Sequence, residues 1–337
     1  MIKATPFHRR AAELNLANAW VSRNGFTLSR FYSDANEEAL AARASCVVSD
    51  ISFRAFLSVS GADAAEFLAR LATQDIAQLE IGGAVRALWP DDKGAIRGRG
   101  TIARLGREYF VIDAESGQDW IENAASLFRV SLTHSEAGLV LIGPAARGLL
   151  AAAGLTTPED SFAVSTAWRG LDMTLLNAGL GTQIRCRADD AEMLWDILFE
   201  QEHAFGLIPA GLAALDILEM ETKLPDTNLV DTNHTGFNGR AGFLAAQARQ
   251  TSVRVGIDID ADMAAPHAQL FSRGALAGRI LSSLYSPALG RAIALAEVDK
   301  GASVPGTEFT LTLPPDAHNL EPRKITARAT DLPFLAL

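Results

Sequence analysis

Asp113 closes the apolar run Phe110-Val111-Ile112-Asp113-Ala114, and a carboxylate emerging from an apolar strand has the reach and surroundings of a general base. A strand-end turn or cap is the plainer use of such a residue. Glu221 ends an apolar helical pattern. A carboxylate there can accept two parallel hydrogen bonds from a 2-amino-pyrimidinone edge, or one from a phenol; a solvated helix glutamate is the alternative. Arg97 and Arg99 fall on one face if their stretch is a strand. His234, in the polar Asn233-His234-Thr235-Gly236, is the histidine best placed for proton transfer. The other five, His8, His134, His203, His267 and His318, are as isolated as it is. Neither Cys46 nor Cys186 has a Cys or His at ligand spacing, so no metal site is expected. Gly94-Ala95-Ile96-Arg97-Gly98-Arg99-Gly100 is not the dinucleotide fingerprint, and there is no Walker A string or Gly-x-Ser-x-Gly elbow.

Composition narrows the class. The 337 residues are 48% apolar and 21% charged, enough for about two domains and a sizeable core. With 40 acidic against 30 basic residues the net charge is -10, which on average repels polyphosphate. The densest basic clusters, Arg97 with Arg99 and Arg185 with Arg187, are too short for a nucleic-acid stripe. The expected partner is therefore a small-molecule substrate, with no nucleic acid and no membrane; oligomeric state is left open. No apolar run approaches the roughly 18 residues of a membrane span. The first ten residues lack the apolar core of a secretory signal, and two cysteines suggest a reducing compartment, so a cytoplasmic location is expected.

The elements that must position these residues follow from periodicity. Phe56-Leu57-Ser58-Val59-Ser60 alternates as a strand, turns at Gly61, and leads into a helix from Ala62 to Leu71. Asp63 is its expected cap and Glu66 its capping-box partner. The order recurs as strand Leu139–Ile142, turn Gly143-Pro144 and helix Ala145–Ala153, suggesting a duplicated α+β half. Two more helices are predicted, Asp190–Glu202 burying Met193, Leu194, Ile197 and Leu198, and Gly211–Thr222 burying Leu212, Leu215, Leu218 and Met220. A loop-like stretch follows, including Lys223-Leu224-Pro225-Asp226-Thr227-Asn228. Short strands come next, Val253–Ile259, Gly278–Leu281, Ala292–Val298 and Phe309–Leu313, the pattern of a small barrel or sandwich.

The run Gly278-Arg279-Ile280-Leu281-Ser282-Ser283-Leu284-Tyr285-Ser286-Pro287-Ala288-Leu289-Gly290-Arg291 resembles the barrel domain of the glycine-cleavage T-protein (aminomethyltransferase) family. Thr5-Pro6-Phe7, Ser49-Asp50-Ile51-Ser52, Val59-Ser60-Gly61-Ala62-Asp63-Ala64 and Pro209-Ala210-Gly211-Leu212 through Glu221 resemble further family segments in the same order. The resemblance implies an α+β fold with two α+β segments around a central channel, over 1–245 with a break near 135–145. A C-terminal β-barrel is implied over 250–337. It also implies removal of a one-carbon unit from a small molecule, with tetrahydrofolate as acceptor. Glu221 matches the pterin-contacting glutamate, Arg240 falls in Phe237-Asn238-Gly239-Arg240, which resembles F-I-G-R, and Tyr32 lies near the pocket-lining segment. Tyr285 is a binding candidate whose plainer role is shaping the barrel turn.

Departures from the family pattern redirect that expectation. Lys93-Gly94-Ala95-Ile96-Arg97-Gly98-Arg99 lines up with K-G-G-I-V-D-D, so the paired acids become Gly98 and Arg99. A guanidinium cannot replace a carboxylate as base or cation stabiliser. An aromatic becomes Arg86, an asparagine beside folate becomes Asp113, and the R-T-G-Y-T-G-E loop is lost at Met173–Gly179. Arg86 and Arg99 make the pocket more cationic, suiting a carboxylate, phenolate or oxyanion, or else end in surface salt bridges. Glycine cleavage itself is not expected. Three readings stand: methyl or methylene transfer to tetrahydrofolate; loss of a hydroxymethyl group as formaldehyde with no cofactor; and a non-catalytic folate-binding protein. The possible substrates include aromatic ones.

Overall fold

The computed structural model describes residues 2–135, 137–225, 229–231, 233–261, 266–313 and 321–336. His318 and the Asp226-Thr227-Asn228 part of the expected loop lie outside them. The chain forms two compact units, Met1–Ala213 with Thr227–Ala248, and Ala214–Asp226 with Arg249–Leu337. The architecture is the expected α+β one with a closed six-stranded barrel.

Two sheets organise the first unit. In the five-stranded one, the strands Ala84–Pro90, Ile96–Gly106, Tyr109–Ser116, Ala55–Ser60 and Ser131–Ser135 pair in that order, all antiparallel. Tyr109–Ser116 is central, and its unbroken apolar run follows from burial on both faces. Phe110, Ile112 and Ala114 pack against Phe67, Leu68, Leu71 and Ile121 of two covering helices. Each such fully buried large side chain contributes about 1.5–3 kcal/mol. Val111 and Asp113 point the other way, where Val111, Phe56 and Ala103 meet Ala163 and Leu176 of the second sheet. That sheet runs Phe162–Trp168, Leu171–Ala178, Gly181–Cys186, Ala137–Ile142, Cys46–Asp50 and Leu207–Pro209. In Gly181–Cys186 the same alternation buries Ile184 against Leu149, Leu194 and Leu198, and turns Gln183 and Arg185 to the opposite face.

Both predicted strand–turn–helix units are present, Ala55–Ser60 with Ala64–Leu71 and Ala137–Ile142 with Ala146–Ala153. Gly61 and Gly143 turn with φ of +132° and +121°, and a Cβ at either would come within 2.4 Å of a backbone carbonyl oxygen. The expected capping box is not formed. Asp63 makes no side-chain cap bond; its carboxylate instead accepts from the backbone N–H, Nε and Nη2 of Arg129. The predicted helix over 190–202 is broken into Ala191–Phe199 and Glu202–Phe205, and Met193 is exposed while Trp195 takes the buried place. Leu212–Glu221 is helical as expected, with Met220 only half-buried.

In the second unit the barrel order is Ser252–Ile259, Arg291–Asp299, Ala275–Ser286, Gln269–Ser272, Glu308–Leu313 and Arg323–Thr330. Its centre is filled by Ile257, Ile280, Phe309 and Leu311 beside small alanines such as Ala294 and Ala327. Closure removes the sheet edges. Two of its strands, Gln269–Ser272 and Arg323–Thr330, and the helix Arg240–Arg249 of the first unit, lack the sequence periodicity that announces the others.

Candidate active site

Asp113 is neither a strand-end turn nor a cap. It stands inside Tyr109–Ser116, only 2% exposed, facing the second sheet. Gln183 Nε2 donates to its Oδ2 at 2.8 Å, Arg185 Nη2 to its Oδ1 at 3.1 Å, and Arg54 Nη1 approaches Oδ2 at 3.4 Å. Arg185 is as deeply buried as Asp113, donates through Nη1 to the Ile51 carbonyl at 3.3 Å, and lies over the Phe56 ring at 4.8 Å. Gly138, its cross-strand partner, leaves the room: a Cβ there would come within 2.4 Å of Arg185 Nη1. Burial lowers the Arg185 guanidinium to about 10, opposed by the Asp113 charge, so it remains a cation at neutral pH.

The cross-strand register places Arg86, Thr101, Asp113 and Phe56 in one row on one face of the five-stranded sheet. Arg99 is two residues before Thr101 and half-buried. Arg86 is paired with Glu115 through Nη2 and Oε1. Gly98 has no room for any side chain: a Cβ would fall 2.2 Å from the Ser116 carbonyl oxygen and 2.5 Å from Trp89 Nε1. Trp89 is fully buried there, with Nε1 donating to that same carbonyl at 2.9 Å.

A cavity of about 920 Å³ takes in Phe56 of this row but not Arg86, Thr101 or Asp113, and Arg54, Arg97, Glu115 and His134 are among its other lining residues. Asp91 orders one wall by accepting from the backbone N–H groups of Lys93 and Ala95 and from Arg97 Nε, each at 2.9 Å. His134 Nε2 is 3.3 Å from Glu122 Oε1. With Nε2 donating, Nδ1 is the accepting ring nitrogen.

The remaining predicted residues are elsewhere. Tyr32 lines a separate cavity of about 10 Å³ with Asp50, Thr5 and His8, room for about one water. Burial, reinforced by Asp50 and Glu38, raises its phenol well above the ordinary value. His234 is buried in its loop, with Nε2 2.9 Å from the Ala69 carbonyl and its ring against Phe237, while its own carbonyl accepts from Arg240 Nε at 3.2 Å. In the second unit, Glu221 is fully enclosed at the end of Leu212–Glu221, and its Oε1 accepts the Ser286 hydroxyl. Tyr285, next to Ser286, is half-buried opposite Ala292.

Arg54, Gln183, Arg185, Glu115, His134 and Ser286 were not singled out as site residues by sequence reasoning. The available signal was Gln183 and Arg185 alternating with apolar residues in a short strand. Among the described residues no three His, Cys, Asp or Glu side chains gather as a metal site. No helix among them is long and apolar enough to cross a membrane.

The GCVT N-terminal domain model matches residues 7–237, and that of the glycine cleavage T-protein C-terminal barrel domain matches residues 253–335. A trimethylamine-oxide aldolase of Ruegeria pomeroyi is 28% identical over 98% of the chain; the chain spans about half of that protein, 48%. Aminomethyltransferases of Deinococcus deserti (28% identical, 99% of this chain and 97% of that protein) and Thermus thermophilus (29%, 100% of both) are similar end to end. The solved aminomethyltransferase T of the glycine cleavage system from Bartonella henselae has the same fold, with a TM-score of 0.89 at 24% identity over 99% of this chain and 98% of that one.

Proposed function

The chain belongs to the glycine-cleavage T-protein family, and on that premise we propose that it is an enzyme that takes a one-carbon unit from a small organic substrate and releases it as formaldehyde. The observation that carries this reading is at Gly98. The family's acid pair aligns with Gly98 and Arg99, and Trp89 and the Ser116 carbonyl fill the space a carboxylate side chain at Gly98 would need. The neighbouring cavity wall carries the cations Lys3, Arg54 and Arg97 beside the acids Glu115 and Asp119.

Such a wall suits the breaking of a bond to a hydroxymethyl group. The hydroxyl proton passes to a base and the O–H electrons become the second bond of the carbonyl. The electrons of the broken bond stay on the substrate, which then takes up a proton. Cations fixed beside that pair stabilise it as it develops. His134, held by Glu122, is the base in this reading. Asp113, with contacts from three side chains, orients Arg54 and Arg185 as a positioning residue. The aldolase name of the Ruegeria relative supports release over transfer.

Tetrahydrofolate is the cofactor the resemblance implies, and the residues present do not fit it as they stand. Glu221 is sealed from solvent with Oε1 bonded to Ser286, so it does not offer a pterin both oxygens, and Asp113 replaces an amide with a carboxylate already engaged. No step is therefore derived through it, and the small-molecule substrate is the partner this reading requires. The test is formaldehyde release from hydroxymethyl compounds with and without added tetrahydrofolate. Release without it is expected, with His134→Asn slowing kcat by roughly 10²-fold or more. One-carbon transfer strictly dependent on folate, with no free formaldehyde, would sink the proposal.

A further inference from the structure

We infer that Asp50 is a positioning residue of the proposed active site: it does not line the 920 Å³ cavity, yet it ties together two chain segments that do. This deepens the proposed function and rests on that cavity being where the reaction occurs. Lys3, Ala4 and Pro6 line the cavity. Thr5 between them is 5% exposed and lines instead the small cavity that Asp50 shares. Its Oγ1 donates to Asp50 Oδ2 at 2.6 Å. Asp50 Oδ1 accepts from the backbone N–H of Ser52 at 2.9 Å, and Ser52, Phe53 and Arg54 line the large cavity again. One carboxyl group therefore holds the N-terminal segment with one oxygen and the turn at 52–54 with the other.

A second route joins the same two segments. Asn24 and Phe26, at a hairpin turn, also line the cavity. Lys3 donates its backbone N–H to the Gly25 carbonyl at 2.8 Å, and Asn24 Nδ2 donates to the Phe53 carbonyl at 3.1 Å. These bonds close a ring that runs from the N-terminal segment through Asp50, the turn and the hairpin, and back. The N-terminal strand is only the two residues Lys3–Ala4, paired with Phe26 and Thr27. So short a strand has little stability of its own, and the ring sets its place. Walls fixed before the substrate arrives reduce the entropy lost on binding. They hold substrate and transition state alike, so loosening them raises KM more than it lowers kcat. His134, the proposed base, stands outside the ring on Ser131–Ser135.

Kinetics of formaldehyde release and amide hydrogen exchange on the full chain test this. Thr5→Val removes the donor to Asp50. Asn24→Gly removes the donor to Phe53 and keeps a residue suited to the φ of +49° there. Each is expected to raise KM roughly tenfold with kcat within about twofold, and Thr5→Ser should restore the parent's KM. Because the links form one ring, the double variant should also raise KM about tenfold, not the roughly hundredfold of two independent sites. Thr5→Val should speed exchange of the Arg54 amide, bonded to the Ile51 carbonyl, by about tenfold. An unchanged KM in both single variants, or effects that multiply in the double, overturns the inference. Should Thr5→Val fail to fold, Asn24→Gly, at an exposed turn, decides by its own KM. Faster Arg54 exchange in Thr5→Val, without formaldehyde release from any hydroxymethyl compound, supports the ring and overturns the lyase reading. Formaldehyde release with the parent's KM in every variant overturns this inference and leaves the lyase reading intact.

Discussion

Asp113 and Arg185 form a buried ion pair whose partners cannot be removed singly without leaving a charge in an apolar setting. Asp113→Asn is expected to lower the free energy of unfolding by about 3–5 kcal/mol in urea melts. The double variant Asp113→Leu/Arg185→Met should recover most of that loss; a single variant as stable as the parent would refute this account of the network. Asp50 gives a pH signature of its own. Burial raises its carboxyl above the ordinary 3.8, against the hydrogen bonds it accepts from Thr5 and Ser52. The folded state then holds that proton more tightly than the unfolded chain does. Its contribution is fully present below the unfolded value and is lost as pH rises through the raised folded value. The stability of the parent minus that of Asp50→Asn should therefore fall as pH climbs from about 4 toward neutrality; a flat or rising difference in denaturant melts would contradict it.

The strand Ile96–Gly106 crosses the five-stranded sheet with its first half packed under Trp89. Two of its glycines, Gly98 and Gly100, lie under Trp89, and backbone carbonyls lie about where their Cβ atoms would be. Gly98→Asp therefore does not recreate an acid site. It should cost about 1–3 kcal/mol or more through overpacking, read as a lower thermal midpoint, and produce no aminomethyl transfer. A Gly98→Asp protein with the parent's midpoint would show that the strand can yield there. The central strand Tyr109–Ser116 was legible as an apolar run, but its second covered face was not. A run of buried residues looks the same whether a carboxylate within it ends the strand or meets a guanidinium from another sheet.

At the scale of the whole molecule, the family models over 7–237 and 253–335 fix a shared architecture, and the differences are local. Calorimetric titration with tetrahydrofolate is expected to give no binding in the micromolar range, with Glu221→Ala indistinguishable from the parent. Tight binding abolished by Glu221→Ala would instead mean that Glu221 parts from Ser286 to meet the pterin, and would return the chain to the folate-dependent members of its family.

Sequence alone determined the two strand–turn–helix units, the helix expected over Gly211–Thr222 and found at Leu212–Glu221, and four of the barrel strands. Each of these is written in local periodicity, in glycine turns or in an ordered set of motifs, and needs no knowledge of distant neighbours. Tertiary structure alone decided that Asp113 is engaged by Arg54, Gln183 and Arg185, separated from it by 59, 70 and 72 positions. It alone also decided that Trp89 and a carbonyl occupy the space beside Gly98, and that Asp63 turns from its helix to Arg129. Charges and hydrogen bonds act over a few ångströms whatever the chain separation, so the partner of a polar residue is set by which strands the fold brings face to face.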